Sequence, residues 1–193
     1  MPPLHGDGHW FDPSIAHYKY LKNGIMETLF KLLSDAQASL FVLFHKTWVY
    51  HWNVVGQDFQ QLHTLFGGQY ETMFEEIDRL SEHMRYLNVK PLSSLNRVLE
   101  VSKIKEASSS ANAEGMISDL LQSNIDFCNM MSKISEEAEE QKSYATANLV
   151  QDLMESHGKF VWMLRAFSDS GTKKVQEEVE EVIEDQIEET IEE

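Results

Sequence analysis

The chain has 193 residues with 32 acidic and 16 basic side chains, a formal charge of −16. That length supports one domain with a substantial core. The charge argues against a nucleic-acid surface, which needs clustered Lys and Arg. A single cysteine, Cys128, excludes an internal disulfide framework and suits a cytoplasmic setting.

Residues 1–20 hold Pro2, Pro3, Gly6, Gly8 and Pro13 and read as an arm. His5, His9 and His17 give that arm a loose metal affinity at most. No basic segment leads into an apolar run there, so a signal peptide is not expected. No stretch of 18 apolar residues occurs, so no membrane span is expected.

Residues 21–170 read as one helical domain. Ile25, Leu29, Leu32, Leu33, Ala36, Leu40, Leu43, Phe44, Thr47 and Trp48 mark a first amphipathic helix, broken by Asn53 and Gly56. Phe59, Leu62, Phe66, Tyr70, Met73, Ile77, Leu80, Met84 and Leu87 mark a second, with Pro91 as its stop. Leu95 to Ile104 suggests a short connecting helix. Ser108, Ser109 and Ser110 offer caps to a third long helix, whose apolar face includes Ile117, Leu120, Leu121, Cys128, Met131 and Ile134. Lys142 and Ser143 separate it from a fourth, carrying Leu149, Leu153, Met154, Phe160, Val161, Leu164 and Phe167 and ending at Gly171. Nothing alternates like a strand. The expectation is an all-α four-helix bundle with a short helix in the crossover between helices 2 and 3, the ferritin-like connectivity.

Residues 171–193 form an acidic tail, helical or disordered. From Thr172 on it carries ten acids and two lysines, a net of −8. Val175, Val179, Val182, Ile183, Ile187 and Ile191 keep a helical period.

Four side chains carry the chemistry: His51, His63, Asp78 and Glu82. Two imidazoles and two carboxylates suit iron, zinc or manganese. Yet His63 and Asp78 lie 15 positions apart on one helix, roughly 22 Å at 1.5 Å per residue. One straight helix cannot bring both to one ion. If the four make one site, two copies must supply it across a two-fold axis. The bland alternative for Asp78 and Glu82 is a solvated pair with Arg79 and Arg85. His83 reads as surface, and Trp48 and Trp162 as core. The nine methionines look like packing.

The segment HWNVVGQDFQQLH (51–63), the D-x-x-x-E pair at Asp78 and Glu82, and VWMLRAF (161–167) resemble the Dps family of mini-ferritins. The resemblance covers residues 22–170. It implies a hollow homododecamer that oxidises Fe(II) with peroxide or dioxygen at intersubunit sites, stores ferric iron and protects against oxidative damage. His51 and His63 would be iron ligands from one subunit, and Asp78 and Glu82 those of its partner. Trp52 matches a tryptophan beside the iron site, where packing or interception of an oxidising equivalent are its two readings.

Two departures stand out. The family usually places an aspartate four residues after the second histidine, where this chain has Gly67 followed by Gly68. One well-occupied iron per site and a weak second position are therefore expected, and a storage cage with little ferroxidase activity is the alternative. DNA-binding members have lysine-rich termini. Here the first twenty residues hold only Lys19 and the tail is acidic, so DNA binding is not expected.

Overall fold

A computed structural model describes the backbone of residues 26–191 and the side chains of residues 26–168. The N-terminal arm, with His5, His9 and His17, lies outside the described residues, as does Ile25. Five helices and no strand occur among the described residues: α1 (Met26–Asn53), α2 (Phe59–Tyr86), α3 (Leu95–Val101), α4 (Ala113–Glu140) and α5 (Tyr144–Ile191). The four long helices make a bundle. The short α3 rides on the crossover between α2 and α4 and packs against α1.

Apolar stripes account for the assembly. Leu29, Leu33, Ala36, Leu40 and Leu43 of α1 meet Leu62, Phe66, Met73, Leu80 and Met84 of α2 in one core. Leu120, Phe127, Met131 and Ile134 of α4 and Val150, Leu153 and Leu164 of α5 complete it. Fully burying one such side chain is worth about 1.5–3 kcal/mol.

The helix ends differ in detail from the sequence expectation. α2 is not stopped by Pro91. Asn88 adopts a left-handed φ of 65°. Its N–H bonds the Arg85 carbonyl while that of Val89 bonds the Met84 carbonyl, a Schellman closure three residues earlier. Lys142, at φ 57°, closes α4 in the same way, with Lys142 N–H on Glu139 and Ser143 N–H on Ala138. The cap of α4 is Asn112, which accepts from the Gly115 N–H at 2.9 Å, not the serines at 108–110. α5 runs 48 residues straight through Gly171. A lone glycine costs a helix about 1 kcal/mol relative to alanine, and the helix formers around it outweigh that. The boundary expected at 171 therefore falls inside one continuous helix.

Candidate metal centre

The turn between α1 and α2 builds the histidine pair. Asn53 bonds back to the Val49 carbonyl, Gly56 takes a φ of 118°, and five residues, 54–58, reverse the chain. His51, in the last turn of α1, then faces His63, in the first turns of α2. Each gives its Nδ1 proton to the other's backbone. His51 Nδ1 lies 2.7 Å from the His63 carbonyl oxygen, and His63 Nδ1 lies 2.8 Å from that of His51. A carbonyl can only accept, so Nδ1 is the protonated nitrogen in both rings. In the neutral imidazoles the Nε2 lone pairs are left for a ligand. That is the arrangement that orients metal-binding histidines.

The rings also stack, with centroids 3.7 Å apart and planes 20° from parallel. Phe59 covers the other face of His63 at 5.2 Å, and Tyr70 meets His51 edge-on at 5.1 Å. Gly67 is buried against His51. A Cβ there would sit 3.3 Å from its Cε1 and 3.4 Å from its Nδ1. A side chain at position 67 would therefore crowd the imidazole, which would have to give by a few tenths of an ångström to admit it.

Trp52 is 55 % exposed and packs tilted against Trp48, with ring centroids 4.5 Å apart, and Trp48 in turn lies 5.9 Å from Tyr70. Phe44 joins this cluster to Phe74, itself exposed. An aromatic face on α1 and α2 therefore borders the histidines.

Asp78 and Glu82 stand one turn apart on α2 and are exposed. Neither makes an ion pair or hydrogen bond among the described residues. Arg79 pairs instead with Asp152 at 3.1 Å, and Arg85 donates to the Val89 carbonyl. The structure thus joins His51 to His63 and leaves the two carboxylates apart. Among the described residues, no group of three or more His, Cys, Asp or Glu within the chain is placed to hold a metal.

Other expectations are corrected. His83 is half-buried and bonds Thr146 Oγ1 at 2.8 Å, and desolvation lowers its pKa below the usual 6.5. Trp162 is 67 % exposed, not core. Cys128 is half-buried, and burial raises the pKa of its thiol.

Two buried polar networks escaped the sequence reading. Lys46 donates to Asp119 at 2.7 Å and to Ser123 at 3.0 Å, while Tyr50 donates to Asp119 at 2.5 Å and accepts from the Ser108 N–H. His157 bridges Asn124 and Glu76. The available signal was phase: Glu76 follows Met73 by three, and His157 follows Leu153 by four, on their helices' apolar stripes.

No helix among the described residues is long and apolar enough to cross a membrane. The ferritin-like domain family matches residues 30–173. An uncharacterised low temperature-induced protein of Nostoc is 35 % identical over 138 residues, covering 70 % of this chain and 77 % of that protein. The DNA protection during starvation protein of Brevibacillus brevis is 31 % identical over 147 residues, 76 % of this chain and 99 % of that one. Among solved structures, the Dps protein of Vibrio cholerae, described as a member of a broad superfamily of ferritin-like diiron-carboxylate proteins, superposes with a TM-score of 0.71. It is 29 % identical, over 74 % of this chain and 90 % of that one. With its bundle, its crossover helix and these relatives, the chain belongs to the ferritin-like family, in the Dps branch.

Proposed function

We propose that this protein is the subunit of an iron-oxidising, iron-storing homododecameric cage, working in the cytoplasm to limit oxidative damage. Fe(II) is its substrate, and peroxide or dioxygen takes the electrons. Each site combines His51 and His63 of one subunit with Asp78 and Glu82 of the partner subunit across a two-fold axis. The observation that carries this reading is the reciprocal clasp, which engages both Nδ1 atoms and leaves two Nε2 lone pairs for a ligand, while two unpaired carboxylates stand at the far end of α2. The exposed aromatic face beside the clasp, with Trp52 and Phe74, supports burial against a second copy. Carboxylates favour the ferric state over the ferrous one, so binding itself promotes oxidation. On this reading Trp52, next to His51 in sequence, shapes the pocket or intercepts an oxidising equivalent.

The test is complementation. His51→Ala and Asp78→Ala each abolish rapid Fe(II) oxidation, and cages co-assembled from the two variants recover part of it, because some interfaces keep one intact site. No recovery in verified mixed cages overturns the shared site.

Gly67 favours a second reading, a metal-storage cage with weak ferroxidase activity, because no carboxylate stands beside His51 for a second iron. Stopped-flow Fe(II) oxidation, with and without peroxide, separates the two. Duplex DNA is not a ligand in either reading, given the −16 charge of the chain. A gel shift at about 0.1 M salt without divalent metal tests that.

A further inference from the structure

α5 outlasts the bundle it belongs to. Glu76 meets His157 at 3.1 Å, Arg79 meets Asp152 at 3.1 Å and His83 meets Thr146 at 2.8 Å, so α2 and α5 run antiparallel in one register. Carried on at 1.5 Å per residue along both helices, that register sets Phe59, the first residue of α2, level with about residue 173. The ferritin-like family match ends at 173 as well. Yet α5 continues as helix to Ile191, roughly 27 Å past the start of α2. No other described element reaches that far. The described backbone begins at Met26, at the opposite end of α1, about 40 Å back.

Left alone, this extension is a poor helix. Val and Ile supply its apolar residues, and β-branched side chains lose rotamer freedom in a helix. Glu177, Glu181, Asp185 and Glu189 follow one another at i,i+4 spacing, where like charges destabilise. The basic residues of the extension, Lys173 and Lys174, precede the acids, the weaker order for such pairs. A solvated acidic helix is the simple account, but a helix of that composition draws its stability from packing an apolar face. The face exists. By helical position, Val175, Val179, Val182, Ile183 and Ile187 fall within about 140° of arc, wide enough for a helix that faces a core. Every acid between 172 and 191 falls outside that arc.

The distribution of charge points to what covers this face. The acids centre on the half of the helix turned away from it, where two identical tails would not meet. The N-terminal arm sets Lys19 and Lys22 against Asp7 and Asp12, so it has no net charge to draw it to the tail. A homo-oligomer holds copies of the same tail near one another and raises their effective concentration. Val and Ile at the contact positions suit two or more helices wound together. We propose that residues 172–191 of α5 are a self-association element, in which the Val and Ile face of one copy is covered by the same face of a second copy. Only the assembly of copies is carried over from the cage reading; the iron chemistry plays no part. The tails, at −8 each, also repel one another. Their contact therefore strengthens as salt shortens the reach of that repulsion, from about 30 Å at 0.01 M to about 3 Å at 1 M.

Single cysteines read the contact in the assembled full-length protein, with Cys128→Ser as the background. Ile183→Cys falls inside the arc, and Glu181→Cys falls nearly opposite it. A disulfide needs its Cα atoms within about 7 Å, so mild oxidation with diamide should join two chains at 183 about fivefold more than at 181. That ratio should rise between about 0.01 M and about 1 M salt. Adding Val179→Glu and Ile187→Glu should abolish the preference for 183. Equal yields at the two positions overturn the proposal and leave the face to another partner. A preference that falls as salt rises overturns it too, because that is the response of unlike charges in contact.

Discussion

Gly67 and His51 touch as backbone against ring, on adjacent helices, with no space for a β-carbon between them at ordinary contact distance. The substitution Gly67→Ala separates sterics from chemistry, since it adds the carbon without a ligand. It is expected to push the imidazole by a few tenths of an ångström and to weaken the first metal several-fold. Gly67→Asp adds a carboxylate as well, and should raise second-metal occupancy while lowering affinity at the first position. Iron per subunit, titrated anaerobically for the three proteins, checks this. An alanine variant with unchanged affinity would show that the close fit is of no consequence.

Tyr50 supplies a pH prediction at the alkaline end. Burial, with the hydrogen bond to Asp119, raises its phenol pKa from 10.0 to about 12. The folded state therefore keeps a proton that the unfolded chain loses. Stability contributed by the neutral phenol is complete below pH 10 and drains away as pH rises from 10 toward 12. Tyr50→Phe should flatten that alkaline decline. At neutral pH the same change leaves Ser108 N–H and Asp119 short of a partner and should cost about 1–3 kcal/mol. Urea midpoints at pH 7.5 and 10.5 for both proteins measure the two effects; parallel declines would contradict the assignment.

His83 acts at the opposite end. Desolvation lowers its pKa, so the folded state favours the neutral ring that bonds Thr146. Its contribution is present above pH 6.5 and is lost as pH falls through the folded value. His83→Gln should therefore reduce the loss of stability between pH 7 and pH 5. Thermal melts across that range, with the native protein alongside, provide the comparison.

Much of this architecture was legible because the signals were local. The apolar steps of three and four along α1 and α2 marked both helices. His51 and His63 sit only 12 positions apart, so a short turn was enough to pair them. What escaped depended on contacts between distant segments. Asn88 closes α2 by adopting a left-handed backbone, which composition does not announce. Pro91, a stronger breaker on paper, comes after the helix has already ended. Trp162 was read as core because it is large and apolar, yet it lies on the outer side of α5. His157 and Glu76 were read past because polar side chains normally seek water. Only the fold shows that each is the other's partner.

Removal of residues 172–193 should leave the bundle's melting temperature unchanged. Leu164 is the last fully buried apolar side chain among the described residues of α5, and Phe167 is only partly covered. The deletion also removes a net −8 per chain, so Fe(II) uptake at low ionic strength should slow if the tail concentrates cations. Calorimetry and light scattering of the truncated protein decide. Loss of the assembled mass would make the tail an assembly element.

The distance of roughly 22 Å between His63 and Asp78 along α2 has a consequence for cell safety. On the shared-site reading, a newly made, unassembled subunit owns only half of each centre at either end of a stiff rod. It has two imidazoles here, two carboxylates there, and no complete grip on a redox-active ion. Iron chemistry is thereby interlocked with quaternary structure. By linkage, each ferrous ion that binds also tightens the interface that made its binding possible. A shell built in this way arms itself only once its walls are in place, and reactive products form where there is a compartment to contain them.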